Sequence, residues 1–457
     1  MKGEQAHFEK DGKMIEKLIT NCDVLIFKDD TPKIALNQDI AIEGSLIKDI
    51  QKTGSIEIPR NVELINAKGL LAIPGLINNH AHVPMVLLRN LAEDVTTESW
   101  FNDYIWPMES NLTQEDVYWG ALLGMAEMIE NGVTCVADHY FYMDEVARAV
   151  EETGMRANLA WAVFGHEGEA KLDETIEFVD RWQGGADGRI TTWLGPHSPY
   201  TCSPEFLKIC ADRAKKKGVG IHIHVSESQG QVNLAMKEFG KTPVQLCKDA
   251  GVMEVPTIFA HCRAPQDVDY PLMAEAGTGV GIAPKTYLKH AGPIAPVNKY
   301  IEYGIPFGLA TDGAVSNNTL DILEQMSLLG MLAKQMMADP TFMPINQLVN
   351  IAFRSSAKVM HLDDQIGELN ESMKADIALI RQDGLHMTPR TNILAALSYN
   401  ARGSDVDTVL CNGKVLMKDR KLLTIDKDKI RADVQKRLQR LSKRVPNSRI
   451  ANYPSLG

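Results

Sequence analysis

The chain has 457 residues, of which 44% are hydrophobic and 23% are charged, and its formal net charge is −11. This length allows one large barrel domain with a smaller satellite, and the composition is that of a globular enzyme, not of a disordered chain. The acidic balance argues against a nucleic-acid-binding surface, which needs clustered Lys and Arg. We therefore expect no nucleic-acid partner.

The N-terminal segment MKGEQAHFEKDGK is charged and has no apolar core, and no later window is apolar for long enough to span a membrane. We expect a cytoplasmic protein without a membrane partner. The 7 cysteines are scattered and form no C-x-x-C pair, which is typical of reduced thiols. Cys262 could be a nucleophile beside His261, but its apolar run TIFAHC favours packing.

Short apolar or β-branched runs recur from about residue 71, with helical stretches between them. In chain order they are LLAIPGLINNH, GVTCVADHY, MRANLAWAV, ITTWLGPH, VGIHIHV, TIFAHC, TGVGIAP and PFGLATDG. Strands that alternate with helices pair in parallel through right-handed crossovers, and about eight such units close naturally into a barrel. The pattern predicts an α/β fold, with a (β/α)8 TIM-like catalytic barrel at residues 71–366.

Strand-like segments also flank the predicted barrel on both sides. The first set is CDVLIF, DIAIEGSLIKDI and VELINA, and the second is ADIALI, VDTVLCNGKVLM and KLLTI. Because neither set buries much by itself, we predict that residues 1–70 and 367–457 form the two halves of one small β-sandwich, interrupted by the barrel. Ile430, Val434, Leu438 and Leu441 recur at helical spacing and predict a packed terminal helix.

An ordered series of polar residues lies at the ends of the predicted barrel strands. Its members are His80, His82, His197, His224, His261 and Asp312. Barrel enzymes place catalysis at the C-terminal ends of the strands, so these side chains are predicted to meet there. Three imidazoles and one carboxylate, from His80, His82, His224 and Asp312, would hold one divalent metal and leave a position open for water. Zinc is the expected ion, with Fe²⁺ or Mn²⁺ as alternatives.

The same residues suggest a hydrolytic reaction. Water on the metal would ionise near neutral pH, and Asp312 would accept its proton. Glu227 lies three residues beyond His224, where it could protonate a substrate atom that faces the metal. His261 would orient the hydroxide or stabilise the developing charge.

Some of these residues have simpler interpretations. Asp312 could belong to a plain turn, since Asp-Gly is a common turn pair. His222 shares a strand face with His224 and is an alternative ligand, but His224 is favoured because an acid follows it at the third position. His139 and His166 also follow candidate strands, lack a matching acid or spacing, and are interpreted as loop histidines.

The motifs PGLINNHAH, GPHSPY, HVSES, AHC, GPIAPV and ATDGAVSNN occur in this order over nearly the whole chain. With them the sequence closely resembles the amidohydrolase superfamily, in particular its branch of S-adenosylhomocysteine and methylthioadenosine deaminases and s-triazine hydrolases. The resemblance implies a metal-dependent barrel enzyme, often a homo-oligomer, with the ligands and proton-transfer residues named above. It adds Glu109 as the carboxylate that binds nucleoside hydroxyls, and His197 as a histidine near the substrate. Judged from the residues alone, Glu109 could equally be a helix-cap carboxylate.

The resemblance also bears on the reaction. Ring-opening relatives bridge two metals with a carboxylated lysine at the end of strand four, where this chain has GPHSP. One metal and hydrolytic deamination of an aminated N-heterocycle are therefore implied: Glu227 would protonate a ring nitrogen, a metal-bound hydroxide would add to the adjacent carbon, and ammonia would leave. The alternatives are a chlorohydrolase or alkylaminohydrolase of an s-triazine-like ring, and a non-catalytic binding protein of the same fold.

Two departures from the family pattern bear on the substrate. Trp161 stands where adenosylhomocysteine-type enzymes carry an arginine that faces the carboxylate tail, and Tyr287 replaces an Asn after strand seven. Both predict a reshaped, more aromatic site, with Trp161 as a substrate contact. The expected substrate is a flat heterocycle without an anionic tail, such as methylthioadenosine, 5′-deoxyadenosine, a pterin or a triazine. Trp161 could equally be barrel core, in which case it says nothing about the substrate.

Overall fold

The strands of the chain form two separate sheets in a computed structural model that describes residues 15–96 and 99–444. In chain order they are β1 (Lys17–Lys28), β2 (Thr31–Glu43), β3 (Leu46–Lys52), β4 (Glu63–Asn66), β5 (Leu70–Pro74), β6 (Leu76–Ala81), β7 (Val133–Tyr140), β8 (Arg156–Val163), β9 (Ile190–Pro196), β10 (Ile221–Val225), β11 (Thr257–His261), β12 (Gly279–Ile282), β13 (Phe307–Leu309), β14 (Ile377–Arg381), β15 (Val406–Cys411), β16 (Lys414–Lys418) and β17 (Lys421–Leu422).

Strands β6 to β13 form the barrel. They pair in parallel and in sequence order. The first and last strands also meet, since the Asp312 backbone N–H donates to the His80 carbonyl at 3.0 Å. Seven of the eight strands are buried at every position, and β9 is buried at all but one, because helices cover the outer face and side chains fill the interior. The predicted (β/α)8 barrel is confirmed.

Helices connect the strands and cover the barrel. The α-helices are Trp106–Glu109, Gln114–Glu130, Met143–Thr153, Gly168–Trp182, Gly185–Gly188, Pro204–Lys217, Gln229–Phe239, Pro243–Asp249, Asp269–Ala276, Pro284–Lys289, Val297–Tyr303, Ala314–Asn317, Ile322–Met337, Ile345–Asn350, Ser356–Val359, Ile393–Tyr399 and Lys427–Arg444. Several begin at a side chain that accepts from the first turn, among them Ser203, Ser228 and Thr242. Helix Pro204–Lys217 ends at Gly218 in the left-handed conformation, and the three lysines in its last turn complement the helix dipole.

The second sheet joins the two ends of the chain. Its main path runs β17-β16-β15-β14-β5-β1-β2-β3, and β4 pairs with β1. The junction of the two chain ends is the antiparallel pair β5 and β14. The flanking segments therefore build one satellite, as predicted, in the form of a mixed nine-stranded sheet with its own hydrophobic core.

The first predicted barrel run is in fact two strands, one in each sheet. Strand β5 pairs within the satellite, whereas β6 begins two residues later in the barrel. The chain changes sheets at Gly75, where a Cβ atom would come within 2.1 Å of the Thr134 hydroxyl oxygen. Glycine permits this close approach, and an uninterrupted apolar run hides the break in the sequence.

The two sheets are linked by a buried ion pair. Arg156 of β8 donates to both carboxylate oxygens of Asp376, at 3.0 and 3.2 Å, and Asp376 immediately precedes β14. Both side chains are at most 3% exposed. This bidentate contact fixes the satellite against the base of strand β8.

The terminal helix packs against the barrel, as predicted. Ile430, Val434 and Leu441 are buried in the main hydrophobic core, and Arg437 and Arg440 contact the fully buried Asp116. All 7 cysteines are buried free thiols. No helix among the described residues is long and apolar enough to cross a membrane.

Candidate metal centre

Five predicted residues converge at the C-terminal ends of the barrel strands. His80 lies near the end of β6 with His82 just beyond it, His224 lies in β10, His261 ends β11, and Asp312 follows β13. Ligand atoms of His80, His82 and Asp312 lie within 4.8 Å of one another, and so do those of His80, His224 and His261. Such a group of imidazole nitrogens and a carboxylate can hold one divalent cation.

The outer nitrogen of each imidazole is already hydrogen bonded. Nδ1 of His82 donates to the His139 carbonyl at 2.6 Å, and Nδ1 of His224 donates to the His197 carbonyl at 3.0 Å. A carbonyl can only accept, so in both rings Nδ1 carries the hydrogen and Nε2 keeps its lone pair. This arrangement orients the histidine ligands of metal sites.

Nδ1 of His80 is also hydrogen bonded, but its partner is an imidazole and not a carbonyl. This Nδ1 lies 2.9 Å from Nε2 of His222, so His222 stands behind His80 and does not compete with His224 for a central ligand position. Nε2 of His80 is fully buried and has no hydrogen-bond partner among residues 15–96 and 99–444. A buried polar nitrogen is costly without a partner, and a cation would supply one.

Asp312 faces the same point. Its Oδ1 lies 3.4 Å from Nε2 of His82 and 3.7 Å from Nε2 of His80, while Oδ2 accepts from the Ser316 hydroxyl at 2.8 Å. Burial acts to raise the pKa of Asp312, but the interactions with His261 and His82 and the Ser316 hydrogen bond outweigh it and lower the pKa. The carboxylate is therefore ionised at neutral pH.

Burial keeps the imidazoles of His80 and His224 neutral. The pKa of His80 is lowered well below its usual value, first by burial and then by neighbouring histidines such as His82. Burial, followed by the effects of His82 and His261, lowers the pKa of His224 to about 4. Neutral rings offer lone pairs to a cation, which protonated rings cannot do.

The strand ends carry backbone strain. Ser226, His261 and Asp312 have φ values of 46°, 67° and 64°, in the left-handed region that favours glycine. Each costs about 1–3 kcal/mol, and such strain accumulates where side chains must point in a required direction. Here it occurs at three of the strand ends that meet around the centre.

Glu227 lies beside the centre in a hydrogen-bonded setting. Its backbone N–H donates to Oε1 of Gln231 at 2.9 Å, and its carbonyl accepts from Nε of Arg263 at 2.9 Å. Burial acts to raise the pKa of Glu227, but the interactions with His261, His224 and Arg263 outweigh burial and lower it. His261 itself has Nδ1 at 3.4 Å from the Tyr287 hydroxyl oxygen.

The two residues expected from the resemblance also lie near the histidines. His197 stacks on Phe164 with a ring-centre distance of 4.5 Å and lies 4.9 Å from the His224 ring. Glu109 ends helix Trp106–Glu109. Burial raises the pKa of Glu109, against the lowering effects of Tyr140 and His82, which places Glu109 within electrostatic reach of the His82 ring.

Trp161 is not brought to the centre. Its ring packs edge to face with Phe178 of the outer helix Gly168–Trp182, at 5.5 Å, and Nζ of Lys171 lies over the Trp161 ring at 5.0 Å. This matches the barrel-core interpretation. Tyr287 is 1% exposed and accepts from the Ala283 N–H at 3.0 Å, so it supports His261 from behind.

His139 is not a loop histidine, contrary to the sequence interpretation. It lies within β7, is 1% exposed, and its Nε2 is 3.2 Å from the Gly195 carbonyl. Its own carbonyl orients His82. The available signal was its position at the end of the second run, the same position that the other site histidines occupy. His166 is exposed in a short turn, as predicted.

Comparisons with known proteins agree with this geometry. The amidohydrolase family model matches residues 71–416. A 5-methylthioadenosine/S-adenosylhomocysteine deaminase of Pelotomaculum thermopropionicum is 42% identical over 89% of this chain and 94% of that protein. A protein of the same name from Caldanaerobacter subterraneus subsp. tengcongensis is 41% identical over 93% and 98%.

Solved structures give the same result at the level of the fold. A zinc-bound adenosine deaminase from Xanthomonas campestris superposes with a TM-score of 0.90 at 25% identity, covering 94% of this chain and 99% of that one. A zinc complex of an atrazine chlorohydrolase from Arthrobacter aurescens TC1 gives 0.84 at 24% identity, over 92% and 100%, and shares the fold. The chain therefore belongs to the amidohydrolase family.

Proposed function

We propose that this protein is a metal-dependent deaminase that hydrolyses the exocyclic C–N bond of an adenosine-type nucleoside and releases ammonia. The observation that carries the proposal is that ligand atoms of His80 lie close both to those of His82 and Asp312 and to those of His224, beside the Glu227 carboxyl group. Relatives of about 40% identity, which are named 5-methylthioadenosine/S-adenosylhomocysteine deaminases, support the choice of reaction.

The residues fit a divalent cation. In this proposal His80, His82, His224 and Asp312 hold it, and the unpartnered buried Nε2 of His80 supports that choice. A bound cation supplies the Lewis acidity that makes water nucleophilic near neutral pH. Zinc is favoured by the ligand types and by the zinc reported in the Xanthomonas structure, while Fe²⁺ and Mn²⁺ accept similar ligands.

The protein residues then move protons and hold the substrate. Asp312 takes the proton of the attacking water on its carboxylate. Because its pKa is lowered in the free protein, Glu227 takes up a proton as the substrate binds, and it then gives this proton to the ring nitrogen next to the amino-bearing carbon, which makes that carbon more electrophilic. His261 donates a hydrogen bond to the oxygen on which charge develops. Asp312 then gives its proton to the amino group, the C–N bond breaks, and ammonia leaves. The proton of the remaining hydroxyl returns to Glu227 as the carbonyl of the product forms.

Two further residues would bind the nucleoside. Glu109 would accept hydrogen bonds from the sugar hydroxyls, and His197 would face the substrate from the end of β9. Trp161 is left out of this site because it packs on the outer helix. It therefore gives no reason to exclude an anionic tail, and the choice between methylthioadenosine and adenosylhomocysteine is left to measurement.

The test is ammonia release by zinc-loaded and iron-loaded protein on a panel of adenosine, methylthioadenosine, 5′-deoxyadenosine, adenosylhomocysteine, guanine, a pterin and an aminotriazine. We expect turnover of at least one adenine nucleoside. Protein that carries one metal per chain and stays silent across the panel would contradict the proposal. Protein that binds no metal would contradict the ligand assignment as well.

We also propose the location expected from the sequence and the assembly that the resemblance implies. The partner is a small heterocyclic molecule, the enzyme is cytoplasmic, and it assembles as a homo-oligomer. Light scattering of the purified protein measures the assembly, and fractionation of expressing cells measures the location.

A further inference from the structure

One side chain holds Glu227 at two places. Oε1 of Gln231 accepts from the Glu227 backbone N–H at 2.9 Å, and Nε2 of Gln231 lies 3.3 Å from Oε2 of the Glu227 carboxylate, to which it donates. Gln231 is the third residue of helix Gln229–Phe239, whose N-cap Ser228 accepts from the Gln231 N–H at 3.3 Å. The position of Glu227 is thereby tied to the start of a helix.

Helix capping alone does not explain this arrangement. A Gln at the third position of a helix usually reaches back to the N–H of the N-cap residue itself. The next helix shows that ordinary form, since Oε1 of Gln245 accepts from the N–H of its N-cap Thr242 at 3.0 Å. Gln231 instead passes Ser228, bonds the preceding residue, and makes a second contact with its carboxylate.

The backbone of Glu227 is held from a second side as well. Nε of Arg263 donates to the Glu227 carbonyl, and the Arg263 guanidinium lies over the Tyr287 ring at 4.8 Å. With the backbone fixed in this way, the side-chain torsions are the remaining freedom of Glu227. Among the described residues, the hydrogen bond to its carboxylate comes from Gln231, so this amide is the group that selects the torsions.

We propose that Gln231 is a positioning residue that decides which oxygen of Glu227 carries the transferred proton. This inference rests on the proposed deaminase function. An amide N–H can only donate, so it favours the form of the acid in which Oε2 is the unprotonated oxygen and the proton sits on Oε1. During the transfer, the O–H bond at Oε1 breaks as the N–H bond at the ring nitrogen forms. The carboxylate left behind keeps its hydrogen bond from Gln231.

The experiment compares two substitutions in the metal-loaded enzyme. Gln231→Glu keeps an acceptor for the Glu227 N–H, and so keeps the helix start, but it removes the amide donor. Gln231→Met removes both contacts at similar volume. We expect kcat to fall about 10–100-fold in both variants, with little change in KM, because the substrate still binds while the acid is misdirected. If kcat is unchanged in Gln231→Glu, Gln231 acts only as a helix cap and the proposal is overturned.

The chain offers a matched control in Gln245. Gln245→Met removes a cap of the same chemical type from the next helix, without a carboxylate contact to Glu227. We expect it to lower Tm to a similar extent as Gln231→Met and to leave kcat unchanged. Equal losses of kcat in the two Met variants would mean that capping explains the effect, and would contradict a specific role for Gln231.

A crystal structure of the Gln231→Met variant provides a readout that does not depend on ammonia release. A Glu227 carboxylate rotated away from its parent position supports the proposal, and one that keeps the parent position contradicts it. An inactive parent enzyme combined with a rotated Glu227 would therefore contradict the deaminase function and leave the positioning role intact.

Discussion

At the scale of single residues, the orientation of the proposed histidine ligands depends on groups that are not ligands themselves. His82 and His224 are oriented by carbonyls of other barrel strands, while His80 is oriented by the imidazole of His222. An imidazole pair is a less certain support than a carbonyl, because either ring can carry the shared hydrogen. His222 is also fully buried, and burial lowers its pKa well below the usual value, so it stays neutral.

Replacing His222 should therefore weaken metal binding. In His222→Phe the ring volume is retained, but Nδ1 of His80 loses its partner, and we expect metal affinity to fall about 10–100-fold. Zinc content after dialysis against graded chelator measures this. His166→Phe, in an exposed turn, is the control and should bind zinc like the parent. Unchanged affinity in His222→Phe would mean that His80 needs no orienting partner.

Replacing Glu227 should separate catalysis from metal binding. Glu227→Gln keeps the shape of the side chain and removes its acid, so we expect turnover to fall by about 10²–10⁴-fold or below detection. Metal content should stay at the parent level, because Glu227 is not among the proposed ligands. Ammonia release and zinc analysis on one sample measure both effects. Undiminished activity would remove Glu227 from the mechanism.

At the scale of the elements, the strand ends carry charges that burial makes costly. Asp138 near the end of β7 accepts from the Val83 N–H at 2.8 Å, which fixes the turn Val83–Leu88 beside His82. Its second oxygen is buried without a hydrogen-bond partner among the described residues. Burial raises the pKa of Asp138 to about 7, despite the lowering effects of the Val83 N–H and His82.

This shift predicts a pH dependence of stability with a definite sign. Because the unfolded chain ionises Asp138 at lower pH than the folded one, the free energy of unfolding falls as pH rises from about 4 to about 7. Asp138→Asn keeps the acceptor for Val83 and removes the titration. Relative to the parent, we expect it to gain up to about 3 kcal/mol between pH 5 and pH 8. Urea unfolding at both pH values tests this, and parallel pH profiles would contradict it.

The sequence predicts the elements better than the directions of their side chains. All eight barrel strands follow from apolar runs between helical segments, because strand and helix periods differ. The sequence does not predict whether the Trp161 side chain points into the barrel or out of it, because β8 is buried on both faces. The pairing of β7 with β8 answers this question. Ala160 pairs with His139, which faces the barrel interior, and since side chains alternate along a strand, Trp161 points outward.

The sequence likewise predicts some residues of the candidate site and not others. The proposed ligands could be named because each ends a predicted strand, and strand ends of a barrel meet on one face. The supporting partners His222, His139 and Gln231 could not be assigned in this way. Their roles depend on which ring nitrogen or carbonyl lies within about 3 Å, and that distance is set by strand register and backbone strain.

At the scale of the whole molecule, one chain crosses between two sheets twice. It leaves the satellite after β5 and returns to it at β14, and β5 and β14 are neighbours in that sheet. The barrel is therefore inserted between two strands that are neighbours in the satellite sheet. The division into residues 1–70, 71–366 and 367–457 remains a prediction. Strand β5 begins at residue 70 and continues past this predicted boundary, but it pairs with β14 in the satellite sheet.

The ion pair of Arg156 and Asp376 joins the two sheets at this point. Both side chains are almost fully buried, so the loss of one leaves the other as an uncompensated charge. We expect Asp376→Asn or Arg156→Met to cost about 3–5 kcal/mol of stability, measured as a lower Tm and a lower urea midpoint. The Oδ1 atom of Asp376 also accepts from the Asn412 N–H at 2.7 Å, which Asn could partly preserve, so Arg156→Met should be the more damaging of the two.

The double variant distinguishes a specific charge interaction from loss of packing. When Arg156→Met and Asp376→Leu are combined, neither charge of the pair is left, and apolar replacement of a buried pair is often neutral or stabilising. The single variants of this comparison are Arg156→Met and Asp376→Leu. We therefore expect the double variant to recover much of the stability lost in either single variant, with zinc content unchanged because the pair lies at the start of β8 and the proposed ligands at the other ends of the strands. If the losses simply add, the pair does not act as a unit, and the satellite is held to the barrel by the apolar contacts around it.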